Sequence, residues 1–315
     1  MYHFIALLTV CIWGTTFVST KVLLAHGLTP GGIFLMRFAL AYVGMAILCH
    51  RTLKCTTWRD EALMVVAGMT GGSMYFLTEN TALQYAQAAG VSLVVSLAPV
   101  ATVGVAMLVS KGRMRPPRKL WVGMALALAG VSLVVGGDVS GDTATHPVLG
   151  GLLALSAALL WAVYQNIVKP LGDRYGVEVL TRKVFGYGLL TIVVYEVLAG
   201  LCVPSHGLSA LWGQVELALS QPSVWGNLLF LGLVASLCCY FVWNKVVERL
   251  GSVVSANYIY LNPLTTCLFS AIFLGERLTP AMAVGGLGIL VGVYIAVGSG
   301  QRKKSTPLRP SVKSD

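Results

Sequence analysis

Long apolar stretches alternate with short polar breaks along this chain. Apolar windows bounded by Gly, Pro or charge fall at approximately 3–25, 30–49, 61–83, 87–110, 119–137, 149–169, 178–200, 223–245, 252–274 and 280–299. Each is close to the ~20 residues that a helix needs to cross a bilayer. None shows the short alternating segments of a membrane barrel. Helices satisfy their own backbone hydrogen bonds in lipid. The pattern predicts an all-α, polytopic membrane protein with ten transmembrane helices. In the connection between the seventh and eighth, Leu211, Val215 and Leu219 recur at i, i+4 and i+8 beside Trp212. That spacing suits a short helix lying on the outer membrane face, or an ordinary loop.

Composition agrees. Of 315 residues 56% are hydrophobic and 11% charged, against roughly 25% charged in a globular domain, and the mean hydropathy is +0.78. The opening "MYHFIALL" has no basic residues before its apolar run and no small-residue cleavage signal after it, so it reads as a retained first span. The seven cysteines form no C-x-x-C pair and are expected to act as small buried hydrophobes.

The net charge of +10 could suggest nucleic acid, but its distribution argues otherwise. Lys and Arg gather in the 2–3 connection (Arg51, Lys54, Arg59), the 4–5 connection "KGRMRPPRK", the 6–7 region (Lys169, Arg174, Arg182, Lys183), the 8–9 connection (Lys245, Arg249) and the C-terminal tail. The intervening connections carry Arg277 and little else. Positive charge stays on the cytoplasmic side, which places both termini in the cytoplasm and makes 111–119 a topology signal. That stretch also lacks the interleaved aromatics that stack on bases, so no nucleic-acid partner is expected; the partners are the lipid bilayer and a small-molecule substrate.

The chain also repeats itself. "CIWGTTFVSTK" sets Trp13 and Lys21 eight residues apart, and "LLWAVYQNIVK" does the same with Trp161 and Lys169. Eight residues are about 12 Å along a helix and roughly 80° around it, so Trp13, Phe17 and Lys21 share one broad face, as do Trp161, Gln165 and Lys169. "LMRFALAYVG" (35–44) lies over "LTRKVFGYGL" (180–189), matching Arg37 with Arg182. Asn80 matches Asn244 and Pro99 matches Pro263 at one shift, and "VGMALALAGVSLVVG" lies over "VGGLGILVGVYIAVG". Residues 1–137 and 149–299 thus read as two five-helix repeats, joined by a periplasmic linker at 138–148 and followed by a basic, disordered cytoplasmic tail at 300–315. Five is odd, so the second copy enters the membrane from the opposite side. Such inverted repeats can open a midplane site alternately to either face.

These residues resemble the drug/metabolite transporter superfamily, EamA-type branch. The resemblance covers all ten spans. It rests on Trp13-Gly14, Arg37, Pro99, Pro263 and "GERLTP" at 275–280 before a glycine-rich last helix. It implies a central cavity between the halves and passage of amino acids or other small metabolites across the inner membrane. One departure is "KGRM" at 111–114, where Gly112 occupies the position of the family's first acidic turn residue.

Polar groups at membrane depth face cavities or partners. Arg37, seven residues into its span, is a candidate counter-ion for a substrate carboxylate. Glu79 could carry a coupling proton, or pair with Lys21. Tyr258 and Asn262 stand one turn apart before Pro263. Pro99 follows Ser92 and Ser96. Each proline removes a backbone donor, and breaks at matching places in two halves point to the transport path. Trp13, Phe17, Tyr75, Ser96, Trp161, Gln165, Tyr240, Asn244, Tyr258 and Asn262, with Arg37, complete the candidate substrate site. Gly68-x-x-x-Gly72 and Gly288-x-x-x-Gly292 suit close helix approach, within the chain or in a homodimer.

The sequence has no H-E-x-x-H, G-x-S-x-G or G-x-x-x-x-G-K, so neither an enzyme, a cofactor nor direct use of ATP is expected. "TVGV" (102–105) resembles part of a potassium filter but lies inside a span. The expectation is a secondary transporter for amino acids or related metabolites. The alternative is drug or quaternary-ammonium efflux, with Glu79 as the charge partner.

Overall fold

A computed structural model of the chain describes residues 1–48, 55–109, 118–139, 145–201, 207–250, 258–259 and 261–301. Among them every regular element is helical. Six helical runs are long and apolar enough to cross a membrane: Tyr2–Ala25, Pro30–Leu48, Ala88–Val109, Pro147–Tyr175, Val177–Gly200 and Pro222–Trp243. Shorter apolar helices, Trp121–Gly137, Asn262–Phe273 and Pro280–Ile295, fall on the expected fifth, ninth and tenth spans. The third is built from Trp58–Gly68, a π-helical turn at Met69–Ser73, and Met74–Tyr85. The chain is therefore an all-α, multi-pass membrane protein.

Several spans are interrupted, the fourth near a proline where the sequence predicts a break and the third and eighth where it predicts continuous helix. The eighth carries a π-helical segment, Phe230–Cys238, between Pro222–Leu229 and Cys239–Leu250. The π segments of the third and eighth spans lie at the spacing that relates Asn80 to Asn244. The fourth span divides into Ala88–Val95 and Ala98–Val109. Pro99 sits in the first turn of the second piece, and Pro263 occupies the first turn of Asn262–Phe273. Both prolines thus start new helical segments, where a missing N–H costs nothing; they do not kink continuous ones.

Helix packing follows the repeat. The second span packs on the eighth and the seventh on the third; the fourth packs on the sixth and the ninth on the first; the third packs on the sixth and the eighth on the first. The second–seventh and fifth–tenth pairs are their own images. Exchanging the halves therefore returns each of these contacts.

Small residues allow the closest approaches. A Cβ at Gly68 would lie 2.6 Å from Tyr187 Cβ, on the seventh span. A Cβ at Gly292 would lie 2.6 Å from Gly123 O, and one at Gly130 2.5 Å from Gly285 O. The small-residue face of the tenth span is thus filled by the fifth span of the same chain. "TVGV" is ordinary helix, and the Thr102 carbonyl accepts Asn166 Nδ2–H at 3.0 Å. Of the five described cysteines, all with free thiols, Cys239 is buried, Cys238 is exposed and the rest are half-buried; small buried hydrophobe fits only the first fully.

The connection after the seventh span does contain a helix, Leu208–Ser220. Its inward face differs from the expectation. Leu211, Gln214 and Ala218 are buried, whereas Leu219 is 72% exposed. Gln214 Oε1 accepts both the N–H and the hydroxyl of Thr29, at 2.9 and 3.0 Å. That pair of bonds turns the helix toward the hairpin between the first two spans. The 111–117 stretch, the middle of the linker and the tail from 302 lie outside the described residues.

The fifth–tenth contact gives a direct test. Gly292→Leu drives a side chain into the backbone of the fifth span, and overpacking of this kind costs about 1–3 kcal/mol or more. The expected result is a lower unfolding midpoint in detergent, with Gly104→Leu, which meets open space, close to wild type.

Candidate functional site

A small, partly open cavity of about 70 Å³ lies between the two halves. The first span supplies Trp13, Thr16 and Phe17. Arg37 comes from the second, Tyr75, Phe76 and Glu79 from the third, and Val95 and Ala98 flank the break in the fourth. The second half contributes Trp161, Tyr240, Ile259 and Asn262.

Local sequence explains how these groups meet. Gly14 follows Trp13, and a Cβ there would overlap Thr265 Oγ1 and stand 2.9 Å from Asn262 O. The Thr266 hydroxyl donates to Gly14 O at 2.9 Å. Glycine therefore lets the first span touch the start of the ninth, bringing Asn262 to the cavity. The Trp13 indole N–H donates to Ala235 O at 3.0 Å, and its ring meets Tyr240 edge-on at 5.6 Å between centroids. Trp161 packs against Tyr75 at 5.1 Å and near Tyr240 at 6.4 Å. The walls are thus aromatic on both sides of the boundary between the halves.

Two opposite charges line this box. Arg37 is 2% exposed; its Nε–H donates to Ser236 Oγ at 3.0 Å, and its guanidinium carbon lies 4.6 Å from the Phe76 ring centre. It makes no salt bridge with a described carboxylate. Burying a charge costs several kcal/mol, whereas one hydrogen bond and a ring face return about 1.5–3 and ~2 kcal/mol at most. The balance favours a further anion in or across the cavity. Glu79, 5% exposed, accepts the Tyr75 hydroxyl proton in a hydrogen bond one turn away on its own helix. It does not pair with Lys21.

Lys21 has another partner. Its Nζ donates to Glu276 Oε1 at 2.7 Å and to Ala86 O at 2.8 Å. Glu276 also accepts the N–H groups of Ala88 and Ala89, at 2.8 and 3.2 Å. A carboxylate from the 9–10 connection therefore caps the fourth span, where the helix dipole favours negative charge, and ties both to the end of the first. At the opposite end of the bundle Asp60 accepts Arg174 and Tyr175, and Glu61 accepts Lys183 and Tyr187.

Of the sequence-predicted residues, Trp13, Phe17, Arg37, Tyr75, Glu79, Trp161, Tyr240 and Asn262 meet in the cavity. Ser96 and Gln165 do not line it; the Ser96 hydroxyl donates to its own helix at Leu93 O, 2.6 Å away. Tyr258 does not line the cavity either; its hydroxyl lies 2.6 Å from His3 Nδ1. The side chains of Asn244 and Lys169 lie outside the described residues. Thr16, Phe76, Val95, Ala98 and Ile259 were not foreseen. Thr16 stands at i+3 from Trp13, so helical spacing alone could have found it; Val95 and Ala98 became wall only through the break in the fourth span.

The Lys21–Glu276 junction predicts a stability change. Glu276→Ala leaves an ammonium, 23% exposed at its side chain, and two amides without their acceptor. The expected loss is about 3 kcal/mol, read as a lower unfolding midpoint in detergent. Glu276→Gln keeps an acceptor and should lose roughly half as much.

Comparison with known proteins supplies the context. The model of the EamA-like transporter family matches residues 1–136 and 148–298. An "Uncharacterized transporter" of Archaeoglobus fulgidus is 28% identical over 93% of this chain and 96% of its own. A "Probable terminal-alkyne amino-acid exporter" of Streptantibioticus cattleyicolor is 28% identical over 96% of each. A "Probable amino-acid metabolite efflux pump" of Salmonella typhimurium is 26% identical over 93% of this chain and 94% of its own. One crystal structure, 20% identical and covering 96% of this chain and 99% of its own, shares the fold at a TM-score of 0.59. With both halves matched, and an aromatic cavity lined by Arg37 and Glu79 between them, the chain belongs to the EamA-like transporter family and is a transporter rather than an enzyme.

Proposed function

We propose that this protein is a secondary transporter of the cytoplasmic (inner) membrane that exports small zwitterionic metabolites, amino acids or close relatives, by alternating access. The carrying observation is that Arg37 and Glu79 line one aromatic-walled cavity without a salt bridge to each other. A cation and an anion held apart suit a molecule bearing carboxylate and ammonium. The guanidinium fork matches a carboxylate, Glu79 receives the ammonium, and Trp13, Trp161 and Tyr240 enclose an apolar body. The names of the relatives point to the same substrate class and to export.

In this reading the two halves thread the membrane in opposite directions and rock about the cavity. Both termini lie in the cytoplasm, and the Lys21–Glu276 contact closes the outer side. Glu79 exchanges its substrate ammonium for a proton, which couples export to the proton gradient. Efflux of organic cations alone fits less well, because Arg37 would stand in the same cavity as the cation with no described carboxylate bound to it.

The test is uptake of labelled metabolites into proteoliposomes with and without a pH gradient. Amino acids are expected to accumulate, and accumulation of quaternary amines alone would overturn the reading. Arg37→Ala should lower amino-acid flux by roughly 100-fold, the effect of losing a buried charged contact of about 3 kcal/mol, with folded protein retained. Glu79→Gln should abolish the influence of the pH gradient; a gradient response equal to wild type removes Glu79 from coupling.

A further inference from the structure

We propose that Ser236 is a positioning residue for Arg37, and that the π-helical segment Phe230–Cys238 is the part of the second half that sets the geometry of the cavity. The inference rests on reading that cavity as the transport site.

The backbone comes first. At the end of this segment the Cys239 N–H bonds to Val234 O and Ser236 O. In an α-helix its acceptor would be Ala235 O. That carbonyl instead receives the Trp13 indole N–H at 3.0 Å. The π segment therefore presents a main-chain acceptor to the first span. π-helical turns often mark functional sites, and here the altered pairing has an identifiable recipient.

The same segment meets the second span twice. A Cβ at Gly232 would lie 2.9 Å from Leu40 Cβ and 3.0 Å from Arg37 O, so glycine lets the segment rest against the arginine's own backbone. Four residues on, Ser236 is fully buried, and its hydroxyl accepts Arg37 Nε–H at 3.0 Å. The guanidinium is planar, with five donors in a fixed fork. Holding Nε by a hydrogen bond and one face by Phe76, 4.6 Å away, defines both the plane and its rotation. The remaining edge is left for the cavity. The corresponding π turn of the third span shows the contrast. There the Ser73 hydroxyl pairs with the neutral Thr191 hydroxyl at 2.7 Å. The serine of the eighth span is the one that addresses a charge.

A fork that belongs to the first half is thus aimed by a hydroxyl of the second. Movement of one half against the other would redirect the fork, which ties the affinity for a carboxylate to the conformational state of the protein.

The experiment compares wild type, Ser236→Ala and Ser236→Thr as full-length protein. Proton exchange of the Arg37 Nε–H is followed by 15N NMR in detergent, with the signal assigned by its loss in Arg37→Lys. Exchange should quicken at least tenfold in Ser236→Ala and stay near wild type in Ser236→Thr. In proteoliposomes, KM for labelled phenylalanine should rise about tenfold in Ser236→Ala, the change expected when one hydrogen bond to a charged group is lost. The maximal rate should stay within about twofold, and transport of phenethylamine, which lacks the carboxylate, should be unaffected. Unchanged exchange in Ser236→Ala overturns the proposal whatever the substrate. So does an equal loss for phenylalanine and phenethylamine, or a Ser236→Thr variant as defective as Ser236→Ala. If wild type carries neither probe, the amino-acid reading falls, while the exchange rates still decide the role of Ser236.

Discussion

A guanidinium held at membrane depth must find partners, and the arrangement of the central helices follows from Arg37. It is 2% exposed, too far from either end of its helix to reach water, and charge there is costly. The chain offers it a serine hydroxyl from the other half, the faces of Phe76 and Phe38, and a cavity bearing Glu79. Phe34, Phe38, Phe76, Phe185 and Tyr240 form a continuous aromatic cluster beside it. That cluster surrounds the guanidinium with low-dielectric side chains, which strengthens the electrostatic contacts it makes.

The breaks in the helices belong to the same arrangement. Irregular backbone at membrane depth is tolerated where it lines a cavity or is buried in protein. Val95 and Ala98, on either side of the turn at Ser96–Leu97, and Asn262, at the start of Asn262–Phe273, line the cavity, and the π segment of the eighth span reaches its edge through the Trp13 indole and Arg37. The breaks occur in matched positions of the two halves, as Pro99 and Pro263 do. The fifth and tenth spans, by contrast, are continuous in the described residues and pack glycine against glycine. The first, second and sixth spans also run unbroken and supply Trp13, Arg37 and Trp161, so continuous and interrupted helices together wall the cavity.

Charge at the two ends of the bundle is used differently. Lys21 and Glu276 are partnered with each other and with the start of the fourth span. At the other end Asp60 and Glu61 tie the third span to the sixth and seventh. The Arg174–Asp60 pair has one exposed partner and contributes little to stability, about 0–1 kcal/mol. The Lys21–Glu276 junction has a buried carboxylate with three donors and contributes more. Arg37 and Glu79, between these ends, are the pair left open.

Much of this was legible in the chain itself. Apolar length announced helices crossing lipid, because nothing else satisfies a backbone there. The family model matches the chain in two segments, 1–136 and 148–298, where the recurrence of Trp13, Arg37 and Pro99 as Trp161, Arg182 and Pro263 suggests two related halves. Eight of the candidate residues converge on the cavity; Arg37, Glu79 and Asn262 do so because charge and amide groups at membrane depth have few other places to be. Local pattern could not decide partners separated by hundreds of residues. It suggested Glu79 for Lys21, and the fold supplied Glu276, 255 residues away. It set Tyr258 beside Asn262, whereas the fold brings the Tyr258 hydroxyl to His3, 255 residues away. It held no sign of the π segment or of Ser236, because the spacing of side chains along a strand of sequence assumes a regular helix. Periodicity decides which residues share a surface; only the packing of one span on another decides which surface faces a cavity, since that depends on how closely two backbones can approach.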